Sequence, residues 1–426
     1  MKINYGSETL CVHGGYTPDA EMHSITPPLY MTNAYDFGTV ERGRQLFALE
    51  TPGNIYSRLT NPTNDYFEQR MNLLEGGIGA VAFASGHAAI FGIMATLCRS
   101  GDEIVSSASI YGGAIAMLGV SLQSFGITTK FVDIDDPQAF MDNTNEKTRA
   151  WFFEMVGNPT AAVADIEKIS ALAKKAGVPL IVDCTFTPPT LFKAMPHGAD
   201  IVVHSSTKYI GGHAAAMGGV VIDAGTFDYL DNPRFPVFNT PDPAYHDMIF
   251  AKELGKAAFI TRLRTNTLRD LGACASPFNS YMMMIGLETL HLRMERHCAN
   301  ALAVAKMLEE HKNVTSVSFP LLPSSRYYPL AQKYLSKGCG AIFSFEIAGG
   351  RTAGAKFADS LQLLSNVANV GDSRSLVVHP ASTTHSQLSP AQLAKGGITE
   401  STIRLTVGIE SEADILEDIK TALDAI

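Results

Sequence analysis

The sequence predicts an α/β protein: a mostly parallel sheet with helices on both faces, followed by a smaller α+β C-terminal domain. Three observations predict it. From about Asn61 to Asp223, short apolar runs alternate with segments of helical pattern. Each run is apolar at consecutive positions, as in strands covered on both faces. After Asp223 the alternation breaks, and a long helical pattern leads into a second, shorter set of strands and helices. Strands that alternate with helices need crossover connections, and crossovers build parallel sheets.

At 426 residues the chain is too long for one small core. It divides into an extended arm over 1–60, a large α/β domain over 61–265 and a smaller domain over 266–426. The arm is rich in Pro, Gly and Asn and weakly periodic. The apolar runs are 80–84, 103–106, 130–132, 150–153, 179–182 and 200–203. Before the fifth run lies a helix that Asp165 can cap, with Ile166, Ile169 and Leu172 on one face and Gly177 as its stop. Residues 224–280 carry Asn232-Pro233, Pro236, Pro241-Asp242-Pro243 and Ser276-Pro277, and read largely as loop. One long helix is expected over about 280–311, with Met284, Leu287, Leu290, Met294 and Leu302 as its apolar positions. The remainder alternates strands (341–347, 402–407) with helices (352–363, 413–425).

Composition excludes some functions. Lys and Arg total 33 against 42 Asp and Glu, a net charge of −9, with no long basic run. Such a chain is poorly suited to nucleic acid or to anionic membranes. Charged residues are only 18%, which fits a large buried interface. The 6 cysteines (Cys11, Cys98, Cys184, Cys274, Cys298, Cys339) show neither zinc-knuckle nor CxxC spacing. With no apolar leader at the start, they read as reduced thiols of a cytoplasmic protein. The stretch 76–98 has no charge and is long enough to raise a membrane span. Gly76, Gly77, Gly79, Gly86 and Gly92, with Ser85 and His87, argue instead for a buried strand, a loop and a buried helix.

Chemistry concentrates at strand ends. The run at 200–203 leads into His204, Ser205, Ser206, Thr207, Lys208 and Tyr209. Ligands of open α/β sheets bind beyond the carboxyl ends of strands, where these residues fall. No Asp or Glu occurs from Ile201 to Ile222, so Lys208 has no local carboxylate partner. A desolvated, unpaired lysine is driven toward its neutral, nucleophilic form, as Schiff-base chemistry requires. Taken alone, a surface lysine after a strand is the better reading. Asp183 ends the run at 179–182; a carboxylate there needs a partner, such as a protonated pyridine nitrogen, a helix N-terminus or Mg²⁺. Ser85-Gly86-His87 joins a strand to a helix whose free N–H groups suit a phosphate. A competing dinucleotide fingerprint at Gly77-x-Gly79-x-x-Ala82 is discounted, because a helical pattern precedes it. Tyr111 follows a strand and could lie on a flat ring. Arg404 alternates with Ile403 and Leu405, and either binds a carboxylate or faces solvent. His379 and His385 lack neighbouring ligands, so no metal is expected. No G-x-S-x-G elbow is present.

Several stretches together carry a resemblance. They are Glu8-Thr-Leu-Cys-Val-His-Gly-Gly, Gly53-Asn-Ile-Tyr56-Ser-Arg58-Leu-Thr-Asn-Pro-Thr63, His204-Ser-Ser-Thr-Lys208-Tyr-Ile-Gly-Gly-His213, Asn239-Thr-Pro-Asp-Pro-Ala-Tyr-His246, Ser276-Pro-Phe-Asn279, Gly286-Leu-Glu-Thr-Leu290, Asn369-Val-Gly-Asp372 and His379-Pro-Ala-Ser-Thr-Thr-His385. Nearly end to end, the chain resembles the Cys/Met-metabolism pyridoxal-phosphate enzymes of transferase fold type I.

The resemblance implies that Lys208 holds pyridoxal 5'-phosphate as a Schiff base and then moves protons, with Tyr111 stacked on the ring and able to assist. It implies that Asp183 pairs with the ring nitrogen and Asn158 with the ring hydroxyl. Ser85, Gly86, the backbone of His87, Ser205 and Thr207 are expected to hold the phosphate. Tyr56 and Arg58 are expected to reach it from a neighbouring subunit, in a homotetramer built of two dimers. Arg404 is expected to bind the substrate carboxylate, helped by Asn369 and Tyr56. Within the family, the likeness is greatest to enzymes that replace the ester of O-acetylhomoserine with sulfide; some relatives take sulfur from a carrier protein instead. Methionine γ-lyase, cystathionine γ-synthase and the O-succinylhomoserine sulfhydrylases are the alternatives. Against the lyase stand the missing cysteine after Tyr111, Asn369-Val-Gly in place of Ser-Leu-Gly, and the long 224–280 segment. The chain departs from its relatives at His87 (usually Met or Gln), at Cys184 (usually Asn) and after His213, where Gly-Thr is missing.

Overall fold

Two sheets organise the residues that this computed structural model describes, 5–383, 386 and 397–426. The larger has seven strands: β1 (Gly79–Phe83), β2 (Glu103–Ser107), β3 (Thr128–Val132), β4 (Thr148–Glu154), β5 (Leu180–Asp183), β6 (Ile201–His204) and β7 (Gly219–Asp223). Their order is β1-β7-β6-β5-β4-β2-β3. β3, β2, β4, β5 and β6 run parallel, and β7 runs antiparallel to both β6 and β1.

The consecutive apolar residues are explained by two cores. Successive strand residues point to opposite faces. Phe152, Ile181, Ile201 and Val221 join one buried cluster with Ala89, Ile90 and Ile93 of the helix Gly86–Leu97. Phe153, Val182, Val202 and Val220 join the other with Phe67, Met71 and Leu74 of the helix Pro62–Glu75. The sequence reading named six of these strands and left out β7. Residues 205–218 contain no helix to carry a crossover, so the chain returns antiparallel. The stretch 76–98 is β1, a turn and the helix Gly86–Leu97, and no described helix is long and apolar enough to cross a membrane.

Three local expectations need correction. Asp165 precedes the helix Ile166–Ala176 but makes no side-chain cap. Its carboxylate instead accepts from Tyr334 Oη at 2.7 Å and pairs with Lys168 at 2.9 Å. Gly177 does stop that helix, with φ +68°. The single helix expected over 280–311 is two, Pro277–Glu288 and Leu290–Glu310, broken at Thr289. The buried Arg293 guanidinium takes the Gly286 carbonyl at 2.6 Å and the Tyr209 carbonyl at 2.7 Å, tying the break to the segment after β6. Residues 224–280 hold more helix than expected, in short pieces that include Phe250–Leu254 and Ala258–Arg262. Arg262 pairs there with Asp242 at 2.7 Å, and Pro236 and Pro243 stand in first turns, where their missing N–H costs nothing.

The smaller sheet has five strands in the order β10-β11-β12-β9-β8: β8 (Val314–Ser318), β9 (Ile342–Ile347), β10 (Ser365–Asn366), β11 (Leu376–Val378) and β12 (Thr402–Thr406). The sequence showed β9 and β12. β8 and β10 are polar and largely exposed, and β11 has only three residues, so hydrophobic pattern does not mark them. The arm contains two short helices, Ser7–His13 and Val40–Phe47. It exposes Met22, Ile25, Met31, Val40 and Phe47.

Candidate active site

The carboxyl ends of β4, β5 and β6 converge on one patch. β4 and β5 pair in register from Trp151 and Leu180 to Glu154 and Asp183, so the two carboxylates are neighbours on one face. That face also carries Phe152 and Ile181 and looks toward the helix Gly86–Leu97. Asp183 is buried, and its Oδ1 accepts the Thr185 N–H at 2.8 Å. Burial pushes its carboxyl up, against the pull of Thr185 and of the nearby His204 and His87. Thr185 also ties two strand ends together, since its Oγ1 accepts the Ser205 N–H at 2.8 Å.

Lys208 lies just beyond β6 and is only partly exposed. Its Nζ donates to Asn369 Oδ1 at 2.8 Å, and it has no carboxylate partner among the described residues. Burial first, and the charge of Arg404 second, push the amine below the ordinary lysine range. The sequence argument for a depressed lysine therefore holds, with a second cause that the sequence did not show. Arg404 sits on β12 between Ile403 and Leu405, whose side chains are fully buried in the same core as Phe153 and Val182. Strand alternation sends the guanidinium the other way. Burial lowers its pKa, the Tyr111 hydroxyl opposes that, and the described residues give it neither hydrogen bond nor ion pair. It is a cation with room for an anionic ligand.

The third part is a turn without side-chain bulk. Ser85 caps the helix Gly86–Leu97, its Oγ accepting the Ala88 N–H at 3.1 Å. A Cβ on Gly86 would lie 2.6 Å from Ser205 Cβ and 2.9 Å from its Oγ, so glycine lets the helix start approach the segment after β6. Ser85, Gly86, His87 and Ser205 thus meet at one helix N-terminus, which attracts anions. Thr207 Oγ1 is engaged locally, donating to the Gly218 carbonyl at 3.1 Å and accepting its N–H at 3.0 Å.

Tyr111 opens the short helix Gly112–Ala116 and is half exposed. Its ring meets His87 edge to face at 5.5 Å, so the departure at His87 touches the Tyr111 ring. Asn158 is buried close after β4. Tyr56 and Arg58 are not brought into this cluster. Both are exposed, Arg58 lies 5.4 Å over the Tyr56 ring, and it donates to the Arg269 carbonyl at 2.7 Å. His379 is a buried structural residue bonded to Ser382 Oγ and the Glu400 carbonyl, and His385 lies outside the described residues. No described group of His, Cys, Asp and Glu could hold a metal.

Sequence reasoning missed Glu154, Thr185 and the fully buried pair of His204 and Glu75, joined at 2.6 Å. Glu154 was detectable as an acid closing the apolar run of β4. The Glu75–His204 pair spans 129 positions and has no local signal.

A lysine beyond a strand end, a buried aspartate one strand away, an anion-attracting helix start and an arginine with no partner among the described residues are a donor set that suits a pyridoxal-phosphate-dependent enzyme of the α/β type. The donor set fits the cofactor: glycine at position 86 brings the helix N-terminus against Ser205, and among the described residues neither Lys208 nor Arg404 is paired with a carboxylate. Comparison places the chain further. The sequence profile of the Cys/Met metabolism PLP-dependent enzymes matches residues 8–424, and the chain belongs to that family. It is 47% identical over 98% of both chains to the homocysteine synthase of Schizosaccharomyces pombe. It is 44% identical to the O-acetyl-L-homoserine sulfhydrylase of Leptospira meyeri, covering 100% of this chain and 98% of that one. A Campylobacter jejuni crystal structure described as an O-acetylhomoserine (thiol)-lyase with N'-pyridoxyl-lysine-5'-monophosphate superposes with a TM-score of 0.95 at 41% identity, over 99% of this chain and 100% of that one.

Proposed function

We propose that this protein converts O-acetyl-L-homoserine and sulfide to L-homocysteine and acetate, as an O-acetylhomoserine sulfhydrylase of methionine and sulfur metabolism. The observation that carries the reading is full-length similarity of 43–47% to relatives named for this chemistry.

Pyridoxal phosphate supplies an electron sink that stabilises negative charge at the substrate carbons next to the amine. The chain's own residues then have separable tasks. Ser85, Gly86, the His87 N–H, Ser205 and Thr207 bind the phosphate at the helix start, Thr207 by re-aiming a hydroxyl now bonded to Gly218. Asp183 would pair with the ring nitrogen and favour its protonated form, Asn158 would meet the ring hydroxyl, and Tyr111 would stack on the ring. Arg404 would take the substrate α-carboxylate as a fork, with Asn369 beside it and Tyr56 supplied by a second copy of the chain. Lys208 Nζ would hold the cofactor and, once free, take the proton from Cα; its lowered pKa favours the neutral amine that this step needs. In the net change, a Cγ–S bond replaces the Cγ–O bond and acetate leaves with the electron pair.

The site is complete only in an oligomer. Tyr56 and Arg58 are exposed and contact each other and Arg269, with no contact to Lys208, on an arm with exposed apolar residues that fits a second copy. The proposed assembly is a dimer of dimers with shared sites. Mixing Lys208→Ala with Arg58→Ala subunits should restore activity neither has alone. The deciding assay runs O-acetyl- and O-succinylhomoserine with sulfide, and methionine alone, on the yellow purified protein. Homocysteine from the acetyl ester, lost in Lys208→Ala, supports the reading. A colourless protein with added pyridoxal phosphate, or methionine cleavage as the main activity, refutes it.

A further inference from the structure

Glu154 has no task in that mechanism, yet it sits inside the site. It closes β4 in register with Asp183, and both are more than nine-tenths buried. Glu154 Oε1 accepts the Tyr111 N–H at 2.7 Å. Its Oε2 is fully buried and has no partner among the described residues. We propose that Glu154 is a positioning residue: it holds a proton, anchors the Tyr111 backbone, and leaves Asp183 as the one ionised carboxylate of the pair. The inference rests on the reading of this patch as a pyridoxal-phosphate site, with Asp183 toward the ring nitrogen and Tyr111 against the ring face.

Two buried carboxylates on adjacent strands do not both ionise, because each raises the cost of the other's charge. The surroundings decide which keeps the proton. Asp183 is met by the Thr185 N–H and hydroxyl, and His204 and His87 lie near enough to lower its pKa through space. Glu154 is met by one N–H, that of Tyr111, and by the Asp183 carboxylate, with no cation facing it. Burial first and Asp183 second push its carboxyl well up. A protonated Glu154 also accounts for the idle Oε2, which then carries a hydrogen for a ligand oxygen rather than an unsolvated charge. The anchor matters because the Tyr111 ring folds back over Gly113, where a Cβ would lie 2.5 Å from Tyr111 Cε1. The half-exposed ring has few packing contacts to hold it, so its backbone sets its position, and Glu154 fixes that backbone.

The test uses the full-length protein with and without pyridoxal phosphate. Glu154→Gln replaces a neutral acid by a neutral amide of the same shape. It should remove one protonated-carboxyl C=O band from the infrared difference spectrum and leave the pH midpoint of the bound chromophore in place. Glu154→Ala should weaken pyridoxal-phosphate binding about tenfold, the scale of one lost hydrogen bond to a buried amide, and Gln should restore it. An ionised Glu154 predicts no such band and a chromophore midpoint displaced by about one pH unit or more in Glu154→Gln, since a buried charge has gone. Either result overturns the proposal. If the unaltered protein binds no pyridoxal phosphate, the reading of the site fails. The infrared band of the cofactor-free protein then still decides whether Glu154 holds the proton.

Discussion

Replacing Gly371 by alanine should damage the site through the backbone of Lys208. Gly371 has φ +75°, where an L-residue is strained. A Cβ there would lie 2.5 Å from Tyr209 N, 2.8 Å from Lys208 C and 3.1 Å from Lys208 Cα. All three are backbone atoms, so no rotamer change relieves the contact. Retreat is blocked on the other side, because Tyr209 is fully buried and its hydroxyl accepts the Ala341 N–H at 3.0 Å. The left-handed conformation costs alanine about 1–2 kcal/mol. Forcing a methyl into a packed contact costs about 1–3 kcal/mol more. The expected loss is then about 2–5 kcal/mol. The segment that yields is 369–371, which carries Asn369 away from Lys208 Nζ and breaks the 2.8 Å bond.

A matched control isolates the contact from the dihedral. Gly350 has φ +68° and nothing within 4 Å of an added Cβ, so Gly350→Ala should lose only about 1–2 kcal/mol. Urea unfolding compares the two variants, and absorbance during titration with pyridoxal phosphate reports on Lys208. Gly371→Ala should be clearly less stable than Gly350→Ala and should bind the cofactor about tenfold more weakly, the scale of one hydrogen bond. Equal destabilisation with unaltered loading in both variants would refute the argument that Gly371 sets the position of Lys208.

Two further outcomes follow from charge. Arg404 helps to lower the Lys208 pKa, so Arg404→Gln should raise it; the neutral amine then appears at higher pH, and the pH midpoint of cofactor attachment should move alkaline. An unmoved or acid-shifted midpoint in stopped-flow absorbance contradicts the coupling. His297 is fully buried, donates from Nδ1 to the Val407 carbonyl at 2.7 Å, and has its pKa lowered from 6.5 to about 4, chiefly by burial. Below pH 6.5 the unfolded chain takes up a proton that the folded chain refuses until about pH 4, so stability falls as pH falls through that window, by about 3 kcal/mol in all. Urea midpoints at pH 7 and pH 5 should therefore differ less in His297→Gln than in the unaltered protein, and an equal difference would remove His297 as a cause.

What the sequence reveals of this protein depends on how far a constraint reaches along the chain. Strands β1, β4, β5 and β6 are visible because they are buried on both faces, so nearly every residue of the run is apolar; the edge strand β3 is partly exposed and shows only Phe131-Val132. Lys208, Asp183 and Ser85 are visible for the converse reason: each is a polar residue placed where such a run ends. β8 and β10 escape notice because their stability comes from neighbouring strands rather than from their own polar residues. The break at Thr289 is likewise invisible locally, since its cause is Arg293 reaching carbonyls of Tyr209 and Gly286. Glu154 falls between these cases. Its place at the end of an apolar run marks it as unusual, but its meaning depends on Asp183, 29 positions later and one strand away. Only pairing in the sheet makes two separate strand-end acids into one buried couple, and the couple can carry one charge where the residues read singly would carry two.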